Sequence, residues 1–305
     1  MSYPLVPRHY GPMPELPDLD LYLEALRTHV VGATVDRFQI LNPFVLRSVD
    51  PGPSTWDGRP VIGVGRMGKQ ILLEGEDELY LVIHLMIAGR LRWLDPGKKP
   101  PRRLSLATLS FAAGLLVLTE AGTKRRASIH VVSGRDRLIA FDRGGLEPLQ
   151  TDFEAFATRL KSENHTLKRA LTDPRLFSGI GNAYSDEILH RARLSPLTWT
   201  SRLDDEGVRR LHDSTRSVLA EWIDRLRSEA NGAFPPKVTA FREGMAVHGR
   251  YGKACPVCGS PVQRIRYAEN ETNYCATCQT GGRLLADRAL SRLLKDDWPT
   301  SIDEW

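Results

Sequence analysis

Cys255-Pro256-Val257-Cys258 and Cys275-Ala276-Thr277-Cys278, with sixteen residues between them, contain every cysteine of this 305-residue chain. Two C-x2-C knuckles at that separation are the spacing of a structural four-thiolate zinc site, where tetrahedral Zn2+ pins two hairpin ends together. The competing reading is two disulfides in a secreted protein. No apolar signal segment precedes the first helical pattern, and a chain of this length does not depend on staples, so zinc on Cys255, Cys258, Cys275 and Cys278 is the expectation. Four thiolates leave the metal no open position, so its expected role is to hold structure.

Working outward, 41% apolar and 26% charged residues are the make-up of ordinary globular domains, and the length predicts two or three of them. No window approaches 18 uncharged apolar residues, which excludes a transmembrane helix. Lys and Arg exceed Asp and Glu by 42 to 37, a modest excess of +5. Its distribution says more. Lys124, Arg125 and Arg126 sit in a Gly/Thr/Ser-flanked connection, and Arg264 and Arg266 lie between the cysteine pairs. Such clusters fit either a solvated face or nucleic-acid phosphate.

Residues 1–12 read as a disordered leader, rich in Pro and Tyr. Leu19, Leu23 and Leu26 recur at helical spacing and predict an opening helix over 18–29. Short β-rich runs follow at 34–40, 70–73, 80–85, 115–119 and 129–132, punctuated by Gly and Pro, as in an antiparallel sandwich or barrel. After Arg143-Gly144-Gly145 the pattern turns helical. Phe153/Phe156/Leu160 and Leu211/Val218/Leu219/Trp222/Leu226 form apolar stripes that read as core. Asn231-Gly232 and Pro235-Pro236 link to the cysteine module. A tail follows in which Leu285, Leu290, Leu293 and Leu294 predict a short helix. The resulting α+β division is 1–12, 13–148, 149–235, 236–279 and 280–305.

Within the helical block, Gly179-Ile180-Gly181-Asn182 precedes a helix-compatible run carrying Glu187. Glycines opening a helix present backbone N–H groups and a positive dipole end, a phosphate-binding arrangement. Asn182 is the N-cap candidate. A plain helix–turn–helix corner without ligand is the alternative.

These motifs occur in a fixed order: Met13-Pro14-Glu15-Leu16-Pro17-Asp18, Lys69, His84-Leu85 with Gly89, Gly179-Ile180-Gly181-Asn182, Glu187, His248-Gly249-Arg250, and the cysteine hairpin closing on Gln279. In that order they resemble the formamidopyrimidine-DNA glycosylase/endonuclease VIII family of base-excision repair enzymes. The resemblance implies an N-terminal β-sandwich, a helix–two-turn–helix domain and a zinc finger, with damaged duplex or single-stranded DNA bound across them by a monomer. It implies a cytoplasmic, nucleoid-associated DNA glycosylase with AP-lyase activity, whose nucleophile is the secondary amine of N-terminal Pro14. An α-amine with a pKa near 8 is about one-tenth neutral at pH 7, against well under a thousandth for lysine. Glu15 takes the acid/base role. Lys69, with a catalytic part beside its phosphate contact, and Arg125, Arg126, Asn182, Arg250 and Asn270 fall on DNA-contact positions. Glu187 falls in the damaged-base pocket or in structural support.

Three departures qualify what the resemblance implies. Twelve residues precede Met13, and while they are attached the Pro14 nitrogen is an amide. Met13 is the expected functional start; a catalytically silent, damaged-DNA-binding protein is the alternative. The DNA-wedge positions carry Met86-Ile87 and Ala127, which predicts a preference for single-stranded, bubble or distorted DNA. The zinc-hairpin tip presents Asn270 between Glu269 and Glu271, with Arg264 and Arg266 as candidate replacements for a tip arginine.

Overall fold

The computed structural model describes residues 13–121, 125–235, 242–267, 270–286 and 301–302. The leader 1–12, Lys124, Glu269 and most of the expected tail helix lie outside the described residues. The chain forms two compact units. The first gathers Pro14, 18–141 and 230–235, and the second gathers 15–17, 142–229 and the chain from 242 on.

The first unit opens with α1 (Leu16–Val30), whose first two residues group with the second unit. Eight strands follow: β1 (Arg37–Ile40), β2 (Val61–Met67), β3 (Gln70–Gly75), β4 (Leu79–His84), β5 (Gly89–Leu94), β6 (Ser105–Phe111), β7 (Gly114–Glu120) and β8 (Ser128–Ser133). They make two antiparallel four-stranded sheets, ordered β1-β6-β7-β5 and β2-β3-β4-β8. Alternating residues supply the core between them. Ile71, Leu73, Leu81, Ile83, Ile129 and Val131 come from one sheet, and Phe38, Leu91, Leu109, Leu116 and Leu118 from the other. Leu19, Leu23 and Leu26 of α1 close the same core, at the predicted helical spacing.

The second sheet also buries its outer face. Leu72, Val82 and Val132 pack there with Leu138 of α2 (Arg135–Ile139). That two-sided burial is why Leu79–His84 reads as a continuous apolar run rather than an alternation. The sequence predicts five of the eight strands. β2, β5 and β6 escape it because glycines, arginines and small polar residues interrupt their apolar pattern. In β2 a Cβ on Gly63 would lie 3.0 Å from the Glu74 carboxylate, a tight contact to which that side chain would have to yield.

The second unit contains α3 (Phe153–Lys161), α4 (Leu167–Thr172), α5 (Asn182–Arg191) and α6 (Asp205–Ala230). The hairpin of β9 (Gln263–Tyr267) and β10 (Asn270–Tyr274) and the short α7 (Ala276–Thr280) complete it. In α6 the stripe Val208, Leu211, Thr215, Val218, Leu219, Trp222 and Leu226 is buried, as a core face. Two boundaries differ from the sequence reading. The units divide after Phe141 rather than at 148, because Leu146 exchanges backbone hydrogen bonds with Leu176 and Ser178 of the helical unit. The cysteine module is not a unit of its own, since Asn273 and the 246–248 backbone are bonded to carboxylates on α5.

Candidate active site

The sequence reading leaves the N–H groups of the glycine turn between a phosphate site and a plain helix corner without ligand. The structure gives them to Glu15. Its buried carboxylate accepts from the backbone N–H of Gly181 (2.7 Å) and Tyr184 (3.1 Å) through Oε2, and from Ala183 (2.9 Å) through Oε1. The main chain reinforces the contact, Leu16 N–H donating to the Gly179 carbonyl at 2.9 Å. Glu15 therefore caps α5 from 166 residues away, and a carboxylate at the positive end of a helix is held by dipole as well as by hydrogen bonds. Asn182 is accordingly not the N-cap. It is the first residue of the helix, and its Nδ2 donates to the Glu271 carbonyl of β10 at 2.9 Å. Pro14 is buried immediately before Glu15, and its nitrogen is acylated by Met13.

One turn along α5, two buried carboxylates organise the segment that carries Arg250. Glu187 accepts from three consecutive backbone N–H groups, Ala246 (2.7 Å), Val247 (2.9 Å) and His248 (2.9 Å). Burial pushes its pKa up, and those three bonds oppose the shift. Both Glu187 oxygens are thus engaged by the 246–248 backbone, which is what the structural-support alternative of the sequence reading describes. Asp186, fully buried, accepts from Lys168 Nζ, from the His248 ring at 2.8 Å and from the Asn273 N–H at 3.2 Å. Asn273 in turn accepts from the Gly249 N–H at 2.7 Å. Arg250, half-buried, leaves this clamped turn with one Nη donating to the Ala254 carbonyl at 3.1 Å, while its buried Nε has no protein acceptor.

On the hairpin, Asn270 opens β10 opposite Tyr267, which fixes it at the loop end. Glu271 is not a free anion there. It lies 3.7 Å from Arg264, whose guanidinium stacks 3.9 Å over the Tyr251 ring, and it accepts from Asn273 Nδ2 at 3.1 Å. Arg264 is thus engaged by both Glu271 and Tyr251.

The four cysteine sulfurs lie within 4.8 Å of one another, with Cys255–Cys278 at 3.9 Å and Cys258–Cys275 at 3.4 Å. A tetrahedron with Zn–S bonds of about 2.3 Å has edges of about 3.8 Å, so the donor set and its spacing fit zinc. Val247 and Val262 wall the site.

In the first unit, Lys69 sits in the two-residue turn joining β2 to β3, half-buried and next to His84. Burial first, then the charges of Lys69 and His130, lower the His84 pKa to about 4, so the imidazole is neutral at pH 7. The connection bearing Arg125 and Arg126 is anchored by Glu120, only 1% exposed, which accepts from the N–H groups of Arg126 and Ala127. Both arginines are exposed, Arg125 donating to the Arg103 carbonyl, whereas Ala127 is buried in the sandwich core. At the β4–β5 turn, Met86 adopts φ +51°, a left-handed conformation that favours glycine. Gly89 is required beside it, since a Cβ there would fall 2.2 Å from the Leu85 carbonyl.

Three family models cover the chain: the formamidopyrimidine-DNA glycosylase N-terminal domain over residues 13–127, the H2TH domain of the same enzymes over 145–231, and a zinc finger found in FPG and IleRS over 252–281. The formamidopyrimidine-DNA glycosylase of Heliobacterium modesticaldum is 33% identical over 279 residues, covering 88% of this chain and 100% of its own. An uncharacterized formamidopyrimidine-DNA glycosylase-like protein of Mycobacterium tuberculosis is 42% identical over 151 residues, 50% of this chain and 94% of its own. Among solved structures, Lactococcus lactis Fpg in complex with abasic-site DNA matches with a TM-score of 0.77 at 26% identity, covering 87% of this chain and 99% of that one. The chain belongs to the formamidopyrimidine-DNA glycosylase family. Its activity is accordingly that of a DNA N-glycosylase of base-excision repair with AP-lyase chemistry, carrying a structural zinc.

Proposed function

We propose that Pro14 is the nucleophile once the residues before it are removed. As an amide its lone pair is delocalised into the carbonyl, whereas as a terminal secondary amine it is free to attack. The nitrogen adds to C1′ of the damaged nucleotide as the bond to the base breaks, and the base leaves with the bonding pair. Proton transfer to the ring oxygen opens the sugar, and loss of the nitrogen's own proton completes the iminium. Glu15 moves these protons and those of the following β-elimination. The observation that carries this reading is the seating of Glu15: three backbone donors hold its carboxylate directly beside Pro14 in sequence.

Lys69, Asn182, Arg125, Arg126, Arg250 and Asn270 are the proposed DNA contacts, with Arg250 supported by its partnerless buried Nε. Extruding a nucleotide costs a few kcal/mol of stacking, which a wedge side chain normally offsets. Ala127 is buried in the core and offers no such wedge. We therefore assign this enzyme, acting as a monomer on nucleoid DNA, a preference for lesions in single-stranded, bubble or distorted DNA. Excision from matched oligonucleotides in single-stranded, bubble and duplex form tests it. Faster excision outside the duplex is expected; equal or better excision of 8-oxoguanine opposite C in intact duplex overturns the preference.

A further inference from the structure

His190 is a buried, titratable side chain that the reaction does not use. It lies in the last turn of α5, 6% exposed, and its Nε2 stands 3.3 Å from the Cys255 sulfur. A Zn2+ with four thiolates carries a net charge of −2 in a partly apolar pocket, so its sulfurs need N–H donors. The knuckles supply some themselves: the Cys278 N–H donates to Cys275 at 3.5 Å, and Ser260 serves Cys258. Cys255 is the more deeply buried of the first pair, at 2% exposure. The carbonyl end of a helix carries partial negative charge and would by itself oppose a thiolate. An imidazole N–H at that end reverses the sign of the contact.

We propose that His190 is a positioning residue of the zinc centre, its Nε2–H donating to the Cys255 thiolate and tying the metal to α5. The hydrogen bond fixes the imidazole tautomer, orients the Cys255 sulfur toward the metal and draws off part of its negative charge. It also makes one helix the common support of both ends of the site. The first turn of α5 holds Glu15, its middle holds the Arg250 turn, and its last turn holds zinc.

The test uses the full-length, zinc-loaded protein. Competition with a chromogenic chelator measures zinc affinity and release for wild type, His190→Phe and His190→Gln. Loss of such a partner lowers metal affinity by roughly 10- to 100-fold. That loss is expected for His190→Phe, while His190→Gln, whose amide N–H reaches the same position, is expected to recover most of it. Wild-type affinity in His190→Phe, or equal losses in both variants, overturns the proposal. A second measurement needs no variant. In the 113Cd-substituted wild-type protein, the His190 ring N–H should show a scalar coupling to the metal through the hydrogen bond. A ring proton that exchanges at the solvent rate without coupling refutes it. Neither readout involves DNA, so failure of the Pro14 chemistry leaves this inference standing, and unchanged zinc behaviour overturns it with that chemistry intact.

Discussion

The Glu15 carboxylate closes three hydrogen bonds at the start of α5, so replacing it has a cost in the free protein that is independent of DNA. In Glu15→Gln the remaining oxygen, placed where Oε2 stands, keeps the Gly181 and Tyr184 donors. The new amide then faces the Ala183 N–H, now 2.9 Å from the other oxygen, donor against donor. One buried donor left without an acceptor costs about 1–3 kcal/mol. Glu15→Ala strands all three and removes the charge from the helix terminus. Partial rescue by water leaves a loss of roughly 3–6 kcal/mol. Urea denaturation without DNA should rank wild type above Glu15→Gln and Glu15→Ala last. If Glu15→Ala unfolds within about 0.5 kcal/mol of wild type, a spread typical of neutral surface changes, the carboxylate is not the cap of α5.

Other perturbations give separate readings. Chelating zinc should abolish DNA binding and expose the 252–281 segment to protease while the sandwich stays folded, because the metal is structural; readmitted zinc should restore both. Relieving the left-handed backbone with Met86→Gly should stabilise the protein by about 1 kcal/mol, with no such gain for Met86→Ala, as read from thermal unfolding. His84 titrates near 4 in the folded protein against 6.5 unfolded, so below pH 6.5 the unfolded chain binds more protons. Its contribution is complete above pH 6.5 and falls by about 3 kcal/mol as pH drops toward 4. Denaturant titrations of His84→Gln should show a shallower acid slope than wild type.

Local signals carried far in the sequence. The knuckle spacing located the metal, the Leu19/Leu23/Leu26 period located α1, and the glycine pair located the start of α5. What the sequence did not carry is who accepts from whom across long separations. The N–H groups of the glycine turn looked available to a phosphate because their acceptor, Glu15, lies 166 residues away. Glu187 could be read as a pocket or a supporting carboxylate because the three N–H groups it binds arrive from beyond residue 240. His190 carried no signal at all: on an amphipathic helix a histidine reads as core, and its nearness to Cys255 is set by packing. Strands β2 and β5 were hidden because glycines and arginines interrupt their apolar alternation.

The proposed chemistry stands or falls with a covalent intermediate on the Pro14 nitrogen. Borohydride reduction during reaction with abasic-site oligonucleotide, followed by peptide mapping, tests it on protein beginning at Met1 and on protein beginning at Pro14. A trapped adduct is expected only from the second form, mapped to the Pro14 nitrogen and lost when that amine is blocked by methylation. An adduct on a lysine, or an equal yield with Pro14 still acylated by Met13, contradicts it. No adduct from either form, with damaged-DNA binding retained, makes the chain a silent binding protein on the glycosylase scaffold.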